Sequence, residues 1–336
     1  MPKENIKFLK FTSKEVASYY VASSIYRWFN CIASDKIMVL GTATGQTPVL
    51  TYKELLKLAG ECGWFKDYAN TFILRQLDNY ISPDATEENL PEYSYELELK
   101  NSIWKIPNGG TYIPKEYAED PEKEAEKYAK IIRDTNDMAH VIVQILGIGD
   151  EDGHIAFNMP GDSFDSTVHV VELNEETIRA NANKFFDGDT TKVPRRAITT
   201  GIGDILESDV IIMEAFGAKK ADIIWKSFFT EPTTDIPATA LQTATEDKLV
   251  MVVLDEDSAS VISEKEGYIF DNPENVIAEY IYEHLDWWWL KPELPWDFSR
   301  ELWFYKIKNY KKLLHFTYLF CYNRKRWKEV EKWETM

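Results

Sequence analysis

Residues 35–63 read DKIMVLGTATGQTPVLTYKELLKLAGECG. The opening DKIMVLG is a short apolar run ending in glycine, the pattern of a buried strand. TATGQTP is polar and rich in turn formers. VLTYKELLKLAGECG then spaces its apolar residues as one face of a helix does, with Gly63 near a C-cap position. Strand, Gly/Thr turn and helix in that order form the first half of a βαβ unit.

The same grammar extends in both directions. Upstream, Thr12 or Ser13 can cap a helix through EVASYYVASSIYRWFNCIA. Downstream, strands are predicted at NTFILRQLDNY, AHVIVQILGIG, STVHVVEL, RRAITTGIG, DVIIMEAFG and KLVMVVLD, with helices at DPEKEAEKYAKIIRDT, NEETIRANANKFF and AKKADIIWKSFF. This alternation implies a Rossmann-like α/β fold: a mainly parallel sheet with helices on both faces. Sites on such sheets lie at the carboxyl ends of strands, where polar loops follow Leu40, Leu77 and Leu146. From about residue 262 the composition changes: Trp287, Trp288, Trp289, Trp296, Trp303, Trp327 and Trp333 crowd a segment also rich in Tyr and Phe. The chain therefore divides into an α/β domain, residues 1–261, and a Trp-rich, mainly helical C-terminal extension, residues 262–336.

Composition narrows the function classes. With 336 residues, 44% of them hydrophobic and 14% aromatic, the chain can bury a full core. Its formal net charge of -18 repels nucleic acid at long range, so any phosphate site has to be locally cationic. Cys31, Cys62 and Cys321 are an odd set without CxxC spacing, which suits packed, reduced thiols in a cytoplasm and neither a disulfide framework nor a metal site. The N-terminus does not read as a signal peptide, and Leu313 to Tyr322 is far short of the ~20 residues that span a bilayer. In the tail, Lys306, Lys308, Lys311, Lys312, Arg324, Lys325, Arg326 and Lys328 interleave with aromatic residues. That pattern suits an amphipathic tail packed on the acidic domain or a neighbouring subunit better than a nucleic-acid or membrane surface. Homo-oligomerisation is left open.

Two loops carry candidate chemistry. Thr44, Gly45, Gln46 and Thr47 stand directly before a helix, where backbone N–H groups and hydroxyls favour an anion, although such a turn also occurs as a plain tight turn. In LGIGDEDGHIAFNMPGDSF, Asp152 precedes His154 by two residues, so carboxylate and imidazole can meet within a turn. An aspartate so placed fixes the tautomer of a histidine acting as acid or base; the alternative is a structural loop histidine. His140, His169, His284 and His315 lack such a setting.

GDEDGHIAFNMP resembles the GNDGHIAFNEP signature of glucosamine-6-phosphate deaminases, also called isomerases. LGTATGQTPVLTYKEL is similar to that family's phosphate loop, QLDNY to its MDEY segment, and TIRANANKFFDGD to its TRVANSRFFDND segment. VPRRAITTGIGDIL and AFGAKKA match two further blocks in order, and together the blocks cover most of residues 35 to 255. The resemblance implies a ketol isomerase that turns an amino-sugar 6-phosphate into a ketose 6-phosphate and ammonia without cofactor or metal. It gives Asp78 the role of the base that moves a proton between C2 and C1, and His154 with Asp152 the opening of the sugar ring. Thr44, Gly45, Gln46 and Thr47 would hold the phosphate, with Lys184 and Lys220 as cations.

This chain departs from the family pattern in three places. Lys184 stands for an arginine, which keeps charge and loses the bidentate fork. Met159 stands for the glutamate that assists the ring-opening histidine, and a thioether cannot accept a proton. Three outcomes are open: Asp162 or Asp165 substitutes, the substrate needs less help to open, or catalysis is weak. Third, no Lys or Arg occurs from Glu151 through Ile178, where some members bind an allosteric acetylated sugar phosphate, so no such activation is expected. The neighbouring readings are a galactosamine-6-phosphate isomerase, a 6-phosphogluconolactonase-like hydrolase and a non-catalytic sugar-phosphate sensor.

Overall fold

A computed structural model describes residues 2–31, 36–61 and 67–284. The apolar run read as the first strand is β2, Ile37–Thr42. Around it a seven-stranded sheet is ordered β1-β10-β9-β6-β2-β3-β5, with β1 Ile6–Phe11, β3 Phe72–Gln76, β5 Gly110–Tyr112, β6 Ala139–Leu146, β9 Val210–Ala215 and β10 Leu249–Asp255. All of its pairings are parallel, as the strand–helix alternation predicts. VIIMEA of β9 is buried at every position because both faces of a central parallel strand are covered. In β2 the pleat sends Met38 and Leu40 to the main core and Val39 to the opposite face, beside Ile73 and Ile142.

Helix α1, Lys14–Cys31, begins where Ser13 Oγ accepts the Val16 N–H, and it packs on α2, Val49–Glu61. Helix α3 is Tyr95–Asn101, capped by Ser94. On α4, Pro121–Met138, Asp120 caps the first turn and Pro121 starts it, while Ile132 and Tyr128 point into a smaller core. Helix α5 is Glu175–Phe185, α6 is Ile202–Leu206 and α7 is Ala221–Phe229.

The sequence reading is corrected at two points. IKFLKF, not anticipated as a strand, forms β1 at the sheet edge, where Ile6, Phe8 and Leu9 are buried and Lys7 and Lys10 interrupt the apolar pattern. Lysines on an edge strand discourage pairing with a further chain, and they also blur the signal. NTFILRQLDNY, expected as one strand, is two. After β3 the chain passes through Leu77 into β4, Asp78–Tyr80, which joins a second, antiparallel sheet ordered β4-β8-β7, with β7 His169–Glu172 and β8 Arg196–Thr199. Leu77 is held by both sheets: its N–H donates to Thr42 O at 3.0 Å, and its carbonyl accepts from Thr200 N and Thr200 Oγ1, each at 2.7 Å.

Beyond β10, helices α8, Ser260–Glu266, and α9, Pro273–His284, pack on the main core through Ile262, Val276, Ile277 and Tyr280. Tyr20 donates its hydroxyl to Pro273 O at 2.6 Å, and Phe8 N–H donates to Asp271 Oδ2 at 2.8 Å. The Trp-rich part of the extension lies outside the described residues. Among the described residues no helix is long and apolar enough to cross a membrane.

Candidate active site

At the carboxyl ends of β2, β6 and β9, beside the start of β4, lies a cavity of about 260 Å³. Thr44, Gly45, Gln46, Thr47, Asp78, His154 and Lys220 all line it. A larger hollow of about 450 Å³ lies beside Tyr112, Ile131, Asp134, Thr135, Asp137 and Met138. Its titratable groups include two carboxylates, Asp134 and Asp137, and none of the residues singled out in the sequence lines it.

The turn expected to hold an anion, Thr44 to Thr47, lies between β2 and α2. Gly45 has φ +104°, a conformation that favours glycine, and nothing lies within 4 Å of where a Cβ would stand, so this part of the turn faces open space. The turn is anchored from behind: Tyr52 donates its hydroxyl to Ala43 O at 2.7 Å and accepts the Ala43 N–H at 2.8 Å. Within the first turn of α2, Thr51 donates to Glu214 Oε1 at 2.5 Å. Glu214 is fully buried on β9, and burial pushes its carboxyl up to about 8, the Thr51 hydrogen bond working the other way.

Asp152 and His154 meet as their spacing predicts. His154 donates from Nδ1 to Asp152 Oδ1 at 2.8 Å, and its backbone N–H reaches the same oxygen at 3.1 Å. The turn closes through Gly149 N–H donating to His154 O at 2.9 Å. A Cβ on Gly149 would stand 2.3 Å from His154 Nδ1 and 2.5 Å from Asp152 Oδ1, so the pair can approach this strand end because position 149 has no side chain. With Nδ1 engaged, Nε2 is the ring nitrogen left for the cavity that His154 lines. Burial works to raise the Asp152 carboxyl, yet the hydrogen bonds and charge of His154, together with Asn174, outweigh it and hold the group at about 2. Asp152 is thus an anion over the whole working range.

Asp78 opens β4 with 6% of its surface exposed. Burial pushes its carboxyl up to about 7, opposed by the Gln76 amide, which donates to Oδ1 at 3.4 Å. Gln76 is itself held by Thr42 Oγ1, 2.8 Å from Gln76 Oε1. A carboxylate with its pKa near the working pH takes and returns a proton with little energetic mismatch.

Lys220 also reaches the cavity wall, but its ammonium is engaged by the Asp150 carboxylate and the Ile148 carbonyl. A bound phosphate would have to share it with Asp150. Lys184 stands on α5, and its side chain lies outside the described residues. Met159 is buried in an apolar cluster with Tyr80, Tyr95 and Phe157, and Asp162 accepts the Met159 N–H at 2.7 Å and faces His169 at 3.8 Å. No contact joins Asp162 to His154 among the described residues.

Several lining residues were missed from the sequence: Tyr95, Phe157, Asp150, and Thr177, Ala180 and Asn181 on α5. Tyr95 and Phe157 stack with centroids 6.1 Å apart and planes 15° apart, a contact across 62 positions that no local pattern announces. Asn174 was readable as the start of a helix, and it caps α5, but its donation to Asp152 Oδ2 at 2.9 Å was not. Among the described residues no three His, Cys, Asp or Glu side chains gather as a metal site requires.

The family model described as glucosamine-6-phosphate isomerases/6-phosphogluconolactonase matches residues 12–251. A glucosamine-6-phosphate deaminase of Ligilactobacillus salivarius is 38% identical over 228 residues, which span 67% of this chain and 88% of that protein. The solved structure of a monomeric glucosamine-6-phosphate deaminase superposes with a TM-score of 0.63 at 31% identity, covering 76% of this chain and 99% of the other. A 6-phosphogluconolactonase from Trypanosoma cruzi shares the fold, with a TM-score of 0.58 at 18% identity over 76% of this chain and 96% of its own.

Proposed function

The chain belongs to the family of glucosamine-6-phosphate isomerases and 6-phosphogluconolactonases, and from that premise we propose that it is a glucosamine-6-phosphate deaminase. It isomerises a 2-amino-2-deoxyhexose 6-phosphate to the ketose 6-phosphate and releases ammonia. The observation that carries this reading is one cavity holding the anion cradle of Thr44–Thr47, the buried carboxyl of Asp78 and the His154 ring backed by Asp152.

The phosphate is seated on the N-terminal amides and hydroxyls before α2, aided by the helix dipole and by Lys220. His154 Nε2 exchanges a proton with the ring oxygen and anomeric hydroxyl, so the pyranose opens to the aldehyde. Asp78 then takes the C2 proton, acidified by the adjacent carbonyl, and returns it to C1, while one proton of the C2 ammonium group passes to O1. The product is a C2 iminium, to which water adds and from which ammonia leaves. Each proton taken from one atom is returned to another, so the scheme needs no electron acceptor. The site lies in a chain with no membrane-crossing helix among its described residues, in keeping with a cytoplasmic metabolic enzyme.

The test is ammonia release from glucosamine 6-phosphate, together with solvent-deuterium incorporation into the product. Asp78→Asn is expected to abolish both, with a loss of about 10³-fold or more, while inorganic phosphate still binds. Met159 favours a second reading, a sugar-phosphate sensor, because no carboxylate stands where the family keeps its glutamate. Binding without ammonia release or isotope exchange selects the sensor.

A further inference from the structure

If His154 opens the ring, it has to hold one tautomer and one orientation, so whatever fixes Asp152 matters as much as Asp152 itself. The two oxygens of that carboxylate have separate partners. Oδ1 is taken by His154 through both Nδ1 and the backbone N–H. Oδ2 accepts a single described side-chain hydrogen bond, from Asn174 Nδ2 at 2.9 Å. Removing that donor frees the carboxylate to turn about its Cβ–Cγ bond, and the imidazole would turn with it.

Asn174 is itself held in place. Its Oδ1 accepts the Thr177 N–H at 2.8 Å as the N-cap of α5. The two bonds fix the amide's orientation, because the reversed amide would set a carbonyl oxygen against a carboxylate and an NH₂ against an N–H. One side chain therefore ties the first turn of the helix that supplies Thr177, Ala180 and Asn181 to the cavity wall to the acid–base pair across from it. Neither Met159 nor Asp162 competes with Asn174 for this position, since Met159 is buried among aromatic rings and Asp162 is committed to the Met159 N–H.

We infer that Asn174 is a positioning residue for the Asp152–His154 pair, an assignment that rests on the proposed deaminase reading for its catalytic meaning. It touches no substrate; its effect passes through the orientation of the carboxylate.

Two substitutions separate this from simple helix capping. Asn174→Asp and Asn174→Ser both retain a good N-cap acceptor, so α5 keeps its start in each. Neither keeps the amide donor: the aspartate sets a second carboxylate against Oδ2, and the serine is too short to cap and reach Asp152 together. The expected result is a fall in kcat of about 10- to 100-fold, larger for Asn174→Asp, with KM for glucosamine 6-phosphate within about two-fold and Tm nearly unchanged. In the free protein, the low-field proton resonance of the His154 Nδ1–H held by Asp152 should move upfield or broaden in both variants. Wild-type kcat and an unmoved resonance in both would overturn the assignment, as would a fall in Tm with the resonance unmoved. The resonance needs no turnover, so it still decides the role of Asn174 if the wild-type protein releases no ammonia and the deaminase reading itself fails.

Discussion

Gly149→Ala is the sharpest perturbation of the Asp152–His154 pair, because the three atoms nearest to the added methyl group all belong to it. The new carbon would stand 2.3 Å from His154 Nδ1 and 2.5 Å from Asp152 Oδ1, whereas non-bonded carbon contacts settle at about 3.5 Å. Relief requires the imidazole or the carboxylate to retreat by roughly 1 Å, and the 2.8 Å bond between them does not survive that movement. A charge-assisted hydrogen bond contributes about 1.5–3 kcal/mol, and a 1 Å misplacement of a reacting group costs on the order of 100-fold in rate. The expected outcome is a fall in kcat for ammonia release of about 100-fold. KM should change little, since the phosphate turn lies on another loop. Gly149 is not in the left-handed region, so Tm should move by only a few degrees. Turnover within about three-fold of wild type, with the Nδ1–Asp152 contact intact in a structure of the variant, would refute the steric argument and the role given to the pair.

Three further outcomes follow from the same geometry. Met159→Glu should raise kcat on cyclic glucosamine 6-phosphate several-fold if ring opening limits turnover, while lowering Tm because a carboxyl replaces a thioether in the cluster of Tyr80, Tyr95 and Phe157; unchanged kcat would show that the histidine needs no such help. Asp150→Asn should tighten inhibition by inorganic phosphate about two- to five-fold at low salt, since the half-exposed carboxylate no longer competes for Lys220, and an unchanged inhibition constant would place the anion elsewhere. Glu214 keeps its proton in the folded state up to about 8, whereas an unfolded glutamate releases it near its ordinary value of 4.5, so between those limits the native state binds more protons and stability falls as pH rises. Thermal denaturation of Glu214→Gln should therefore show a smaller loss of Tm from about pH 5 to about pH 8.5 than wild type, and equal slopes would contradict the raised pKa.

Much of the fold was legible because its central strands are predominantly apolar runs separated by helices with polar faces. DVIIMEAFG and KLVMVVLD could hardly be anything but central parallel strands. What escaped was decided by tertiary pairing. The division at Leu77 turns on hydrogen bonds to Thr42 and Thr200, residues 35 positions before it and 123 after it, and nothing in LRQLDNY itself marks the change of sheet. The Asp152–His154 pair was readable because it is local, closed by two residues and a glycine turn. The engagement of Lys220 by Asp150 and the bond from Asn174 to Asp152 were hidden for the opposite reason, since each joins loops from different strand ends. The Trp-rich tail, read as a packed helical segment, lies outside the described residues.

The double anchoring of Leu77 has a consequence for how this scaffold can be altered. Its peptide group is clamped from two directions, so the backbone of the residue that follows is placed by the architecture whatever side chain that residue bears. Position 78 is thus a socket: a different functional group installed there would arrive at the cavity wall already aimed, and screening replacements at this one site would sample new reactions on an unchanged frame.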